Sequence, residues 1–258
     1  VAASTAINVT ATGVVDLGTF ATNVATVTET GTGGLTATLS AVTQKVSGGS
    51  GVNTITTGGV LTTGSVTAGA GTTDKLIVAA AADVAATPAA KYTGFEILQN
   101  NAAATIDASL VSGITSVVIN NAGASGFTNL SATQAGAVSA IASTAGSTLA
   151  LKDASGTADV VNLKASSTTA GVDVTNLIVA GVETLNFTNS STAADTLSFD
   201  GTSTTGKGLK NITLAGAKGV TLDLAAQNTP AHDTTIVSID ASGLTAQATG
   251  TNTFTLKD

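Results

Sequence analysis

The sequence predicts an all-β chain: a parallel β-solenoid (β-helix) with irregular coils and inserted loops. Three observations carry that prediction. Short runs rich in Val, Ile and Thr, such as "INVTATGVV", "NVATVTET", "TSVVIN", "NLIVAG" and "KNITLAG", show near-alternating polarity and are punctuated by Gly, Asn, Ser and Asp. Hairpin dipeptides are scarce, Asp200-Gly201 being the one Asn-Gly or Asp-Gly pair in 258 residues, which favours parallel coiling over an antiparallel sandwich. Large core-formers are sparse, with aromatics at 3% and alanine making up much of the apolar fraction. A narrow solenoid needs only a few inward residues per coil, so such a composition suits it better than one thick core.

The elements follow in chain order. Residues 1–46 read as the end of a preceding solenoid module. Residues 47–153 form a module with degenerate glycine-rich turns of calcium-binding type, and 154–258 a second, homologous module. Five landmarks in the same order support the duplication. "GTTDKLIV" at 71–78 matches "GTADVVNL" at 156–163, and "GFEIL" at 94–98 matches "GVETL" at 181–185. "TIDAS" at 105–109 answers "LSFDG" at 197–201, "GITSVVI" at 113–119 answers "GLKNITL" at 208–214, and "STLALKD" at 147–153 answers "NTFTLKD" at 252–258. The drifting offset implies insertions, which solenoid loops tolerate. Residues 131–145, "SATQAGAVSAIASTA", are the one stretch with helical character, and its Ala and Ser content leaves that ambiguous. The chain begins at Val1 without an initiator Met and ends at "FTLKD", so a fragment of a longer protein is expected, with another Gly/Asp turn and apolar strand beyond Asp258.

Charge and composition exclude several function classes. Net charge is −7, charged residues are 10%, and every basic residue is Lys. With no basic stripe and few stacking aromatics, nucleic-acid binding is not expected. The longest apolar stretch, 76–86, contains Asp83 and is too short for a membrane span. Zinc is not expected with one His and no Cys. His232 beside Asp233 reads as an exposed loop histidine after Pro230, since no nucleophile motif accompanies it. Glu96 and Glu183 occupy equivalent repeat positions, which points to a shared structural task, as strand-edge or cation-bridging carboxylates, rather than a catalytic pair. The chain is therefore expected not to be an enzyme.

An Asp-rich surface suits divalent cations, and Ca²⁺ takes six to eight oxygens from carboxylates and backbone carbonyls. Residues 47–56, "SGGSGVNTIT", approach the calcium nonapeptide G-G-x-G-x-D-x-ψ, where ψ is a large apolar residue, but Asn53 stands at the acid position. Residues 68–76, "AGAGTTDKL", supply Gly69, Gly71, Asp74 and Leu76, with one extra residue before the acid. Candidate metal ligands are Asp74 first, then Asn53, and then Asp159, Asp195 and Asp200. The alternative at each Asp is a side chain capping a turn.

These G-G-x-G-x-D-like segments, with an apolar strand, an Ala/Thr-rich linker, G-ψ-E-x-L and I-D-A-S after them, resemble the repeat-in-toxin-type surface-layer (S-layer) proteins of Gram-negative bacteria, such as those of Caulobacter and Campylobacter. The resemblance covers most of 47–258, and the Ala/Thr/Gly-rich, cysteine-free composition matches. It implies a structural protein exported by a type I system to the bacterial cell surface. There it would self-associate into a two-dimensional lattice, assisted by Ca²⁺. Anchoring to outer-membrane lipopolysaccharide would reside in a region not present here. The sequence departs from the family pattern at Val52, Asn53 and Val60, which weakens the calcium assignment there, and ligand positions carry over best to Asp74. A secreted calcium-binding adhesin or biofilm matrix protein is the alternative with the same composition.

Overall fold

The computed structural model describes residues 5–200, 208–224, 236–245 and 253–257. It forms two compact units, Val1–Ala102 with Ala108–Thr115, and Ala103–Asp107 with Ser116–Asp258. Both are parallel β-solenoids. The division falls inside the first sequence repeat, so repeat and compact unit are different partitions of the chain, and the repeat boundaries rest on sequence alone.

In the first unit each coil contributes one short strand to each of two sheets. One sheet stacks Ala6–Val9, Thr26–Glu29, Lys45–Ser47, Ser65–Thr67 and Tyr92–Thr93. The other stacks Val15–Thr19, Leu35–Thr38, Thr54–Thr56, Lys75–Val78 and Ile97–Asn100. Thr26 lies beside Lys45 and Lys45 beside Ser65, so a coil takes about 20 residues. The three-residue strands bury their middle side chains, Val46, Ile55 and Val66, and leave the flanking residues outside. In-register stacking then builds the core as columns: Val27, Val46, Val66 and Tyr92 on one sheet, Ala37, Ile55, Leu76 and Leu98 on the other. This is the thin core that the residue supply allows.

The alanine-rich stretch after Val78 leaves the coil as a 3-10 turn, Ala81–Val84, and a one-turn helix, Ala86–Ala89. Pro88 is tolerated there because the first turn of a helix has no internal acceptors for its N–H groups. The detour is tied down by Asp83. The Thr57 hydroxyl donates to Asp83 Oδ2 at 2.5 Å while its oxygen accepts the Ala79 N–H at 3.0 Å.

In the second unit one sheet stacks Ser116–Ile119, Val138–Ala140, Val160–Ala165, Thr184–Asn189, Asn211–Gly216 and Ser238–Leu244. The other stacks Thr105–Asp107, Gly126–Leu130, Thr148–Leu151, Val174–Ala180, Asp195–Phe199, Val220–Asp223 and Phe254–Lys257. Thr144–Ala145 adds a short pairing to Val174–Thr175. Strands here reach six or seven residues, and Val160–Ala165 and Thr184–Asn189 alternate between outside and inside along their length. Leu163, Phe187 and Leu214 fall in one column, and Val161, Leu185 and Ile212 in another.

Two asparagines bend these strands. Asn129 and Asn176 adopt left-handed backbone (φ 54 and 52), where the pairing register shifts. Asn tolerates this conformation better than other non-glycine residues. The ambiguous stretch 131–145 becomes a one-turn helix, Ala132–Ala135, followed by the strand Val138–Ala140. A capping box starts the helix: the Ser131 hydroxyl accepts the Gln134 N–H and Gln134 Oε1 accepts the Ser131 N–H. No helix among the described residues is long and apolar enough to cross a membrane.

Candidate cation-binding turns

In a parallel solenoid the strand ladders satisfy the backbone only within the strands. At the turns, N–H groups need other acceptors. In the first unit a ladder of side chains supplies them, each reaching back one coil. Asn53 Oδ1 accepts the Leu35 N–H at 3.0 Å, Asp74 Oδ1 accepts the Asn53 N–H at 2.6 Å, and Glu96 Oε2 accepts the Asp74 N–H at 2.9 Å. The Asp74 carbonyl in turn accepts the Glu96 and Ile97 N–H groups at 3.1 and 3.0 Å. Asp74 is fully buried at 0% exposure, yet its Oδ2 has no hydrogen-bond partner.

The second unit repeats the Glu-to-Asp step of this ladder. Glu183 Oε2 accepts the Asp159 N–H at 2.9 Å, and the Asp159 carbonyl accepts the Glu183 and Thr184 N–H groups at 3.1 and 3.0 Å. Asp159 Oδ2 is also buried without a partner. The preceding glycine has the same reason in both places. A Cβ on Gly71 would lie 2.6 Å from Asp74 Oδ2, and one on Gly156 would lie 2.9 Å from Asp159 Oδ2. The recurring G-T-x-D and G-ψ-E-x-L landmarks are thus one device, and Glu96 and Glu183 do share a structural task. Each turn holds a buried carboxylate oxygen without a partner, and carboxylate oxygens are the donors that hard cations take. No group of three or more His, Cys, Asp or Glu gathers among the described residues, so further ligands would have to be backbone oxygens or water.

The other sequence candidates sit differently. Asn53 is fully buried and its amide is committed on both sides: Oδ1 to Leu35, and Nδ2 to Gly51 O at 2.7 Å, Ala68 O at 2.6 Å and Asp74 Oδ1 at 3.2 Å. Asp195, 1% exposed, uses both oxygens: Oδ1 accepts the Val172 N–H at 2.6 Å and Oδ2 accepts the Ser191 hydroxyl at 3.4 Å. Its neighbour one coil back returns the contact, Asp173 Oδ1 accepting the Thr196 N–H at 2.8 Å. Asp200 is half-buried at the end of Asp195–Phe199, its N–H donating to Leu177 O at 3.1 Å. His232, Asp233 and Gly201 lie outside the described residues.

Burial pushes the Asp195 carboxyl up to about 6, with the Val172 N–H and Ser191 hydroxyl opposing the shift and Asp173 adding to it. A raised folded value means that the native state holds a proton that the unfolded chain has released between about pH 4 and 6. Stability therefore falls as pH rises through that window, and the full penalty is present above it. Asp195→Asn keeps an acceptor for Val172 and offers Nδ2 to the Ser191 oxygen. It is expected to flatten this slope and to stabilise the second unit at neutral pH by about 1–3 kcal/mol, measured by urea unfolding across the window.

Sequence reasoning missed Glu29. It is 2% exposed, Oε1 accepts the Gly31 N–H at 2.6 Å, and Oε2 has no partner. The signal was an acid immediately before the glycine-rich "TGTGG" turn, at a position where the nonapeptide has no acid. It also missed a groove of about 890 Å³ in the second unit, bordered by Leu130, Ser131, Lys152, Asp153, Asp159 and Asn162. The hydroxyl and N–H of Ser155 hold the Asp153 carboxyl there below the usual carboxylate range. No protein-family model matches the chain, and no curated protein matches it in a sequence search.

Proposed function

We propose that this chain is a structural, non-enzymatic solenoid of a bacterial surface layer. In this reading it is secreted by a type I route and self-associates into a two-dimensional coat outside the cell. Calcium assists at the Asp74 and Asp159 turns, and lipopolysaccharide anchoring belongs to another region of the protein. The twin buried carboxylates with open oxygens carry the reading. A carboxylate oxygen buried without a partner is costly, and a divalent cation offsets that cost.

The flanks support the same reading. Low-charge polar rows run from coil to coil: the Thr10 and Thr30 hydroxyls are 3.0 Å apart, Thr93 donates to Thr67 at 3.2 Å, and Asn186 donates to Asn162 at 2.8 Å. Repeated polar rows of low charge let copies approach at high local density with little repulsion. Electron microscopy of the protein dialysed with and without calcium tests the proposal. Ordered sheets with calcium and their loss on chelation are expected. Disordered aggregates under both conditions would sink it.

A further inference from the structure

The triplet Asn-x-Ser/Thr, the acceptor pattern for sugars joined to an asparagine amide, occurs five times in the chain: Asn8-Val9-Thr10, Asn129-Leu130-Ser131, Asn186-Phe187-Thr188, Asn189-Ser190-Ser191 and Asn211-Ile212-Thr213. In so Thr-rich a chain the triplet alone says little, and the fold sorts the five. Asn189 is 2% exposed, and its Nδ2 donates to Ala193 O at 3.1 Å and to Gly219 O at 3.0 Å. Asn186 Nδ2 donates to Asn162 Oδ1 at 2.8 Å, from a strand paired on both sides. Asn211 Nδ2 donates to the Thr184 hydroxyl oxygen at 3.4 Å. Asn129 is exposed, but its backbone is left-handed and its Nδ2 donates to Asp107 Oδ2 at 2.7 Å. A sugar on any of these four would displace a contact that joins two coils.

Asn8 differs on each count. It lies in the strand Ala6–Val9 with its side chain on the exposed face, opposite Ile7 and Val9. Its side-chain amide has no hydrogen-bond partner among the described residues. The neighbours on that face are small: Ala6 two residues before it and Thr28 beside it on the next coil. Thr10, the hydroxyl residue of the triplet, is exposed as well, its Oγ1 3.0 Å from Thr30 Oγ1. We propose that Asn8 is a glycosylation site, the one acceptor of the five that the folded chain offers, and that its modifying partner is a transferase carrying a pyrophosphate-activated sugar. In the transfer a bond forms between Asn8 Nδ2 and the anomeric carbon of the sugar. The bond from that carbon to the pyrophosphate oxygen breaks, the pyrophosphate leaves with the electron pair, and the amide gives up one proton to a base of the transferase.

The test takes the folded full-length chain with a soluble glycosyltransferase that reads Asn-x-Ser/Thr and with UDP-glucose as donor, followed by intact mass and peptide mapping. One hexose at Asn8 is expected. It should be absent from Asn8→Gln and Thr10→Ala and retained in Thr10→Ser, and circular dichroism checks that each variant keeps the fold. Synthetic peptides spanning the Asn186 and Asn211 triplets should accept hexose in the same reaction, which shows that the fold and not the triplet withholds those amides. Peptide mapping of the protein taken from its own cells should find saccharide on Asn8, a single hexose marking a nucleotide-linked donor and a longer chain a lipid-linked one. An unmodified Asn8 in either material, or hexose at Asn129, Asn186, Asn189 or Asn211 of the folded chain, would overturn the proposal. It is independent of the calcium reading, since neither Asn8 nor Thr10 lies in the Asp74 or Asp159 turn.

Discussion

Asp74→Ala is expected to destabilise the first unit by about 2–4 kcal/mol, whereas Asp74→Asn should cost less while abolishing the calcium response of that unit. The difference lies in the two oxygens. Oδ1 is the acceptor for the Asn53 N–H at 2.6 Å, and alanine leaves that buried donor without a partner and takes one of three acceptors from the Asn53 side-chain amide. Asparagine keeps an acceptor in that place and removes only the carboxylate character of the open Oδ2. Asp159→Asn should likewise remove the carboxylate character of Oδ2 in the second unit, with a small stability change because Asp159 is less deeply buried. Hydrogen exchange resolved by peptide, with and without chelator, checks this by assigning each loss to one unit, which a single global melting curve cannot do. Equal losses from the alanine and asparagine variants, with no change in calcium response, would remove the cation role and leave Asp74 a turn cap.

Phe187→Ala is expected to cost the second unit about 3–5 kcal/mol. Phe187 is buried and sits in register between Leu163 and Leu214, so removing it opens a void along a column that no neighbour can fill without shifting a strand. In the first unit the column through Ile55 is aliphatic, running Ala37, Ile55, Leu76 and Leu98. Ile55→Val there should cost only about 0.5–1.5 kcal/mol. Urea unfolding followed by hydrogen exchange assigns each loss to its unit, and a Phe187→Ala cost no larger than that of Ile55→Val would show that Phe187 is not tightly packed in its column.

Much of this architecture was legible in the sequence. Alternation in short Val/Ile/Thr runs and the scarcity of hairpin dipeptides pointed to parallel coils. Ile55, flanked by Thr54 and Thr56, shows why: one inward residue per strand is a pattern that the chain states locally. The G-T-x-D and G-ψ-E-x-L landmarks located the ladder residues Asp74, Glu96, Asp159 and Glu183. The helix at Ala132–Ala135 was announced by Ser131 and Gln134, a capping pair that alanine and serine content obscured. Glu29 was missed because it precedes the glycines, where the nonapeptide has no acid.

The sequence by itself determined the coiling: which residues face inward, that the core is thin, and that an acid recurs at a fixed place in two turns. Only the tertiary structure decided what each polar atom meets. The partner of Asn53 Oδ1 lies 18 residues away, that of Asp74 Oδ1 lies 21 away, and that of Glu183 Oε2 lies 24 away. Each is on the adjacent coil, and coil length drifts, so local spacing cannot say which N–H falls opposite which oxygen. That register separates Asn53, satisfied on every side, from Asp74 and Asp159, each of which keeps one buried oxygen without a partner.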